Sequence, residues 1–193
     1  MSEDTVLTPE QRLKGFGDIL LAGALGSSET AIKNRQFLFG HARMELFRDE
    51  NYVIYSLLYK FKDRNITIDE EFVKLSLMRQ QSLIEEASDH RKIDINAYGD
   101  VDDSPILGYI GGVMKYFSIL MKEEKVAPDE FQLVFEKYLI EYKAIETKKI
   151  YADSLQIIGD GLKIGRKFLQ GFEASRDYVK NGLARIEGVV DQN

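Results

Sequence analysis

Asp49-Glu-Asn-Tyr-Val-Ile-Tyr-Ser-Leu-Leu-Tyr-Lys-Phe-Lys-Asp-Arg-Asn-Ile-Thr-Ile-Asp-Glu-Glu-Phe-Val-Lys-Leu75 is the stretch on which the reading of the chain turns. Within it Ile54, Leu57, Leu58 and Phe61 recur at i, i+3, i+4 and i+7, the spacing that lines one face of an α-helix. Asp49 is placed to cap the start of that helix. Asn65 can take the left-handed backbone that stops a helix, Ile66-Thr67-Ile68 favours an extended connection, and Asp69 can cap a second helix. Glu70 and Glu71 then put carboxylates at the positive end of the second helix dipole. The local pattern is helix, turn, helix.

Upstream, Thr8-Pro-Glu-Gln11 predicts a helix start, with Pro9 where its missing N–H does no harm. Residues 16–25, apolar and rich in Gly and Ala, predict a short buried helix. Ser27 or Ser28 with Glu29 predicts a further capped short helix over Ala31 and Ile32. Residues 35–47 carry Phe37, Phe39, Met44, Leu46 and Phe47 around Gly40 and His41, and read as a connecting segment that plugs aromatics into the core.

Downstream of the central stretch, the second helix is expected to continue through Leu83 and Ile84. Residues 89–104 are polar and lack a helical period, so they predict a long loop. Ser104-Pro105 predicts a helix start, and Ile106, Leu107, Ile110, Val113, Met114, Phe117, Leu120 and Met121 follow at helical spacing. Gly108, Gly111 and Gly112 weaken that helix but allow another backbone to pack close. Pro128, Asp129 and Glu130 open a helix without further Pro or Gly until Gly159, a rod of about 45 Å at the helical rise. Phe131, Val134, Phe135, Tyr138, Leu139 and Tyr142 begin its apolar side, and Ile145, Tyr151, Leu155 and Ile158 continue it. Gly159, Gly161 and Gly165 are expected to loosen the rod and Gly171 to mark a turn. Residues 174–190 then return as a second helix with Val179, Leu183, Ile186 and Val190 facing one way. The expectation is an all-α protein: a compact helical domain over residues 1–125, then a long α-helical hairpin over residues 126–193.

A chain of 193 residues with 44% hydrophobic content can bury a core. No run approaches the roughly 18 apolar residues of a membrane span, and the acidic start does not resemble a signal peptide. The absence of cysteine excludes disulfides, thiol catalysis and thiolate metal sites, and fits a reducing cytoplasm. A net charge of -6 argues against strong DNA binding by the chain alone. His41 and His90 are far apart and without clustered ligands. Asp94, Asn96 and Gly99 imitate the opening of a calcium loop, but Tyr98 and Pro105 break it where ligands are needed. Gly159-Asp-Gly-Leu-Lys-Ile-Gly165-Arg-Lys167 resembles a phosphate-cradling loop only superficially: five residues separate the outer glycines and no hydroxyl follows the lysine. Asp102 and Asp103 read as solvated loop charges. No catalytic residue, cofactor site or metal site is expected in the chain.

The spacing of Phe47, Ile54-Tyr55, Leu57-Leu58, Phe61, Asn65-Ile-Thr-Ile-Asp69, Phe72 and Leu75 resembles the N-terminal domain of DnaB-type replicative DNA helicases, bacterial or phage-encoded. The His-Arg pair usual before the Ile-aromatic step is Asn51-Tyr52 here, and the Gly and Pro of the turn are Asn65 and Thr67. The segment at residues 16–25 is similar to the helix that opens that domain. Residues 151–158 and 177–186 are similar to the two helices of its collar hairpin. The resemblance follows the order of parts from residue 16 to 190.

The resemblance implies a cytoplasmic DNA-replication protein whose work is assembly rather than catalysis. Hairpins would pair two subunits, pairs would close a hexameric ring, and the outer surface would receive a primase or helicase loader. ATP and magnesium would belong to a motor domain that this chain lacks. The expected pairing positions are Tyr142, Ile145, Leu155, Leu183 and Ile186, with Lys143, Lys148, Lys149 and Arg176 as polar rim contacts. The same apolar positions would serve equally to zip the hairpin to itself. Two further readings stay open: a free-standing phage loader or inhibitor that imitates the collar, and a helical DNA-binding regulator using clusters such as Lys60-Phe-Lys-Asp-Arg64 and Lys163-Ile-Gly-Arg-Lys167. For the regulator, a helix-turn-helix over residues 50–78 has the right size, but Asp69-Glu-Glu71 would repel phosphate.

Overall fold

A computed structural model describes residues 7–64, 68–89, 93–163 and 168–190. Among them the regular structure is helical, with no strand: α1 (Pro9–Ala24), α2 (Glu29–His41), α3 (Asp49–Lys60), α4 (Glu70–Arg79), α5 (Gln81–Asp89), α6 (Pro105–Lys122), α7 (Pro128–Lys163) and α8 (Phe168–Val190). A single 3-10 turn, Met44–Leu46, joins α2 to α3. The fold is all-α. It divides into two compact units, one of residues 14–135 and one of the described residues up to Leu13 together with those from Glu136 on.

In the first unit α3 supplies the densest burial. Ile54, Leu57 and Leu58 of the i, i+3, i+4 stripe are buried, but so are Val53, Tyr55 and Ser56 off it, while Phe61 is only half-buried. The helix is covered on every side from 53 to 58. Tyr55 turns its hydroxyl to the end of α2, 2.7 Å from Ala42 O and 3.1 Å from Leu38 O, while Phe47 packs on its ring at 4.4 Å. α3 and α4 both pack on α6. The C-terminal carbonyls of α1, which no intrahelical N–H can reach, are met by side chains from elsewhere. Asn34 Nδ2 donates to Gly23 O at 3.2 Å and to Val126 O at 2.9 Å. Arg35 donates to Ala24 O and Gly26 O, and Lys125 to Ala22 O at 2.7 Å. Gly26 leaves α1 with a φ of +93°, the left-handed turn expected just past a helix end.

Several sequence expectations change here. α1 is continuous from Pro9, so the helix start at Thr8 and the buried segment at residues 16–25 are one element. Thr8 and Gln11 bracket its start with reciprocal side-chain to backbone bonds of 2.8 and 3.2 Å. Ser28 caps a helix that runs through residues 35–41, most of the segment read as a connection. Its aromatics still enter the core, with Phe37 edge-on to Phe131 and Phe135, and His41 stacked on Phe37 at 4.2 Å. Asp49 does not cap α3: the cap position is Arg48, whose side chain makes no capping bond, and Asp49 has a φ of +52°. Asp69 does cap α4, accepting from Phe72 N at 2.8 Å. α4 stops at Arg79, with Leu83 and Ile84 in the separate α5.

Residues 93–104 are turns, as expected of a loop. Asp102 and Asp103 both take positive φ, 50° and 58°, and close a tight turn in which Val101 and Ser104 exchange backbone bonds. Ser104 then caps α6. The loop seats on the glycine face of α6. A Cβ on Gly108 would lie 1.7 Å from Gly99 O, and one on Gly112 would lie 2.3 Å from the Tyr98 ring. Gly111 faces open space.

In the second unit α7 and α8 form an antiparallel hairpin. Three contacts set its register: Arg185 to Glu146 at 4.0 Å, Ile150 against Gly182, and Tyr178 OH donating to Asp153 Oδ2 at 2.9 Å. A Cβ on Gly182 would meet Ile150 Cδ1 at 2.7 Å, so the glycine is what lets the helices close. Near the start of the chain, Arg12 grips Glu141 through Nε and Nη2 at 2.6 and 3.3 Å. α7 runs straight past Gly159, and Gly171 lies inside α8, not at a turn. Residues 164–167, between α7 and α8, lie outside the described residues, as do Asn65, Ile66, Thr67 and His90, so the expected loosening at Gly165 and most of the Lys163–Lys167 cluster fall there.

Candidate assembly surface

α7 is apolar on two sides. One side carries Tyr138, Tyr142 and Ile150 and is buried. The other carries Ile140, Tyr151 and Leu155, which are 68%, 50% and 69% exposed. With Ala144 these fall within about 60° around the helix axis at 3.6 residues per turn, so they form one apolar strip facing solvent. Three large apolar side chains held at that exposure on one helix face make the strip a candidate interface.

The residues picked out by sequence are distributed over both sides. Tyr142 and Ile186 are buried, Ile145 and Leu183 are half-buried, and Leu155 is exposed. The register that joins residue 150 to 182 puts Ile145 level with Ile186 and Leu155 level with Arg176. Lys143, Lys148 and Lys149 are exposed, and Arg176 is exposed beside its neighbour Asp177 at 3.4 Å. Ile140 was not singled out by the sequence pattern, and Tyr151 was counted on the same side as Tyr138. An angular plot at 100° per residue separates the two sets.

A second polar feature lies in the unit of residues 14–135. Tyr116 OH hydrogen-bonds both Asp18 Oδ1 and Asn51 Oδ1, and Asn51 Nδ2 donates to the same Asp18 oxygen at 3.2 Å. Lys14 pairs with Glu50 at 3.3 Å and lies 5.0 Å from the centre of the Tyr116 ring. Tyr98 OH donates to the other Glu50 oxygen, which ties the loop on α6 to the start of α3. Burial alone would raise the Glu50 carboxyl, but the bonds from Tyr98, the backbone and Lys14 reverse that and hold it below its ordinary value. Burial and then the Glu50 charge push Asp49 up, against the pull of Lys14 and Arg48. Burial pushes Tyr116 and Tyr109 up, and the Tyr109 hydroxyl is buried with no hydrogen-bond partner among the described residues. Asp18 and Glu50 are each engaged by neighbouring donors, which suits a latch between elements.

Among the described residues no group of three or more His, Asp or Glu is placed to hold a metal ion. Asp94 Oδ1 accepts from Asn96 N at 3.0 Å, so the calcium-loop imitation is a local turn. The cations of the Lys60-to-Arg64 cluster are occupied by the protein's own side chains. Lys60 donates to Gln80, Lys62 lies over the Tyr59 ring at 4.1 Å, and Arg64 lies over Phe61 at 5.6 Å. Residues 61–69 separate α3 from α4, where a helix-turn-helix uses about 3–4. No described helix is long and apolar enough to cross a membrane. Compared with protein-family models, curated proteins and solved structures, the chain finds no match.

Proposed function

We propose that the chain is an assembly module that pairs with a second copy of itself through the exposed strip of its α7–α8 hairpin. The observation that supports this is the strip itself: Ile140, Tyr151 and Leu155 stay half or more exposed while the opposite side of the helix is buried. Charge does not oppose a like partner strongly. Residues 136–193 hold ten Lys and Arg against nine Asp and Glu, so two hairpins meet with little net repulsion. The collar of DnaB-type replicative helicases, which the sequence resembles, is the setting in which such pairing does work. There a paired hairpin helps close a ring in the cytoplasm of a bacterial or phage-infected cell, and the ring receives a primase or loader. The ATP- and magnesium-dependent motor would be separate from these residues.

The test is molar mass by light scattering over a concentration series, on the wild type and on Leu155→Asp. Leu155 is exposed, so the substitution leaves the fold in place, which circular dichroism checks. A dimer or larger species that Leu155→Asp reduces to a folded monomer is the expected result. A wild type that stays monomeric at every concentration overturns self-pairing.

A further inference from the structure

A groove crosses the unit of residues 14–135 between α1, the last turns of α6 and the first turns of α7. Its volume is about 440 Å³. Ala22 and Leu120 form the floor, and Ile19 and Ile119 stand on the walls, 39% and 52% exposed. Glu123, Glu124 and Glu130 line the rim and are exposed. None of the three makes an ion pair among the described residues. Of the nearby cations, Lys125 donates to the Ala22 carbonyl at 2.7 Å and is attracted by Glu123 without pairing with it, and Lys14 pairs with Glu50 at 3.3 Å.

The groove therefore joins an apolar trough to an acidic edge. Its unit carries twenty Asp and Glu against fifteen Lys and Arg, so the surrounding field has the same sign as the rim. Phosphate backbones and anionic lipid surfaces are repelled by that field. A cationic chain with one apolar side is attracted by it, and an α-helix presents apolar anchors at i, i+4 and i+7 that a trough of this size receives.

We propose that this groove is the docking site for a basic amphipathic helix of a partner protein, with its apolar side in the trough and its Lys or Arg residues over Glu123, Glu124 and Glu130. The proposal is independent of hairpin pairing, since it uses a different surface and a different chemistry.

The probe is a fluorescein-labelled peptide of about 15 residues, Leu at helical anchor positions and Lys elsewhere, titrated into the full chain by fluorescence anisotropy. The same unlabelled peptide is followed in isoleucine-methyl NMR spectra. The expected result is micromolar binding that moves the Ile19 and Ile119 signals and leaves those of Ile140 and Ile158 in place. Glu124→Lys with Glu130→Lys is expected to weaken binding at least tenfold, and Ile119→Arg likewise, each with an unchanged circular dichroism spectrum. A twin peptide with Glu in place of Lys is expected not to bind. Four results would overturn the proposal. The Leu/Lys peptide fails to bind at millimolar concentration, a scrambled peptide of equal composition binds as well, the variants bind like wild type, or the moving signals are those of the hairpin.

Discussion

Alanine at Gly108 and alanine at Gly111 are three residues apart on one helix, and the structure gives them opposite signs. At Gly111 an added methyl meets nothing within 4 Å. Alanine there recovers the helix propensity that glycine forfeits, a stabilisation of about 0.5–1 kcal/mol. At Gly108 the same propensity gain is available, but the methyl would lie 1.7 Å from Gly99 O and 2.9 Å from Gly99 C. A backbone carbonyl cannot rotate out of the way as a side-chain tip can, so the loop must retreat by more than an ångström. Overpacking of this kind costs about 1–3 kcal/mol. The retreat also carries Tyr98 off Gly112 and away from Glu50, where a hydrogen bond to a charged group contributes about 1.5–3 kcal/mol. Set against a gain of at most about 1 kcal/mol, the net effect at Gly108 is a loss of about 2 kcal/mol or more. Urea unfolding followed by helical circular dichroism reads both variants on one scale. The expected order is Gly111→Ala above wild type and Gly108→Ala below it. Equal midpoints for the two variants would show that the loop is not seated on α6 and would refute the reasoning.

The Glu50 latch predicts a pH-dependent difference. The native carboxyl is held below its ordinary 4.5, so its contribution is full above the unfolded value and is lost as pH falls through the native one. Glu50→Gln should cost about 1 kcal/mol at neutral pH, with the gap to wild type closing as urea melts are repeated at pH values below 4.5. A gap that persists unchanged at low pH would refute the charge-based account. Tyr55→Phe should lose about 1–2 kcal/mol, because it removes the buried hydroxyl that bonds Ala42 O, while Leu38 O keeps the Ala42 N–H; thermal melts that match wild type would count against this. Asp103→Gly should gain about 0.5–1 kcal/mol by relieving a non-glycine residue held at a φ of 58°, and a lower melting temperature would contradict the turn assignment.

Much of the helical layout was legible because its signals are local. Ser28, Asp69 and Ser104 cap helices through bonds to residues three positions on, and Pro9, Pro105 and Pro128 open helices where a missing N–H is harmless. The errors came where packing overrides propensity. Gly159 and Gly171 were expected to loosen or turn the chain, yet both sit in long helices, since a glycine costs only about 1 kcal/mol against a helix that packs along its length. Asp49 was expected to cap α3, but Arg48 takes the cap position and Asp49, the first residue of the helix, has a φ of +52°. The candidate surfaces were less legible for a geometrical reason. The buried side of α7 and its exposed strip are both apolar, so composition along the helix cannot say which residues face solvent. The acidic groove draws Ile19 and Ile119 from helices a hundred residues apart in sequence, and no local pattern joins them.

Asn34 gives the fold a vulnerability to chemical ageing. Its amide nitrogen donates to two carbonyl oxygens, Gly23 O and Val126 O, while its own oxygen is buried without a partner among the described residues. Hydrolysis of that amide would convert the donor into a carboxylate facing two carbonyls in a site nearly closed to water. In the folded chain burial shields the amide from this reaction. A molecule that deamidates while unfolded would find the junction of α1, α2 and the residues before α7 closed to it on refolding, so every unfolding event exposes the chain to irreversible loss.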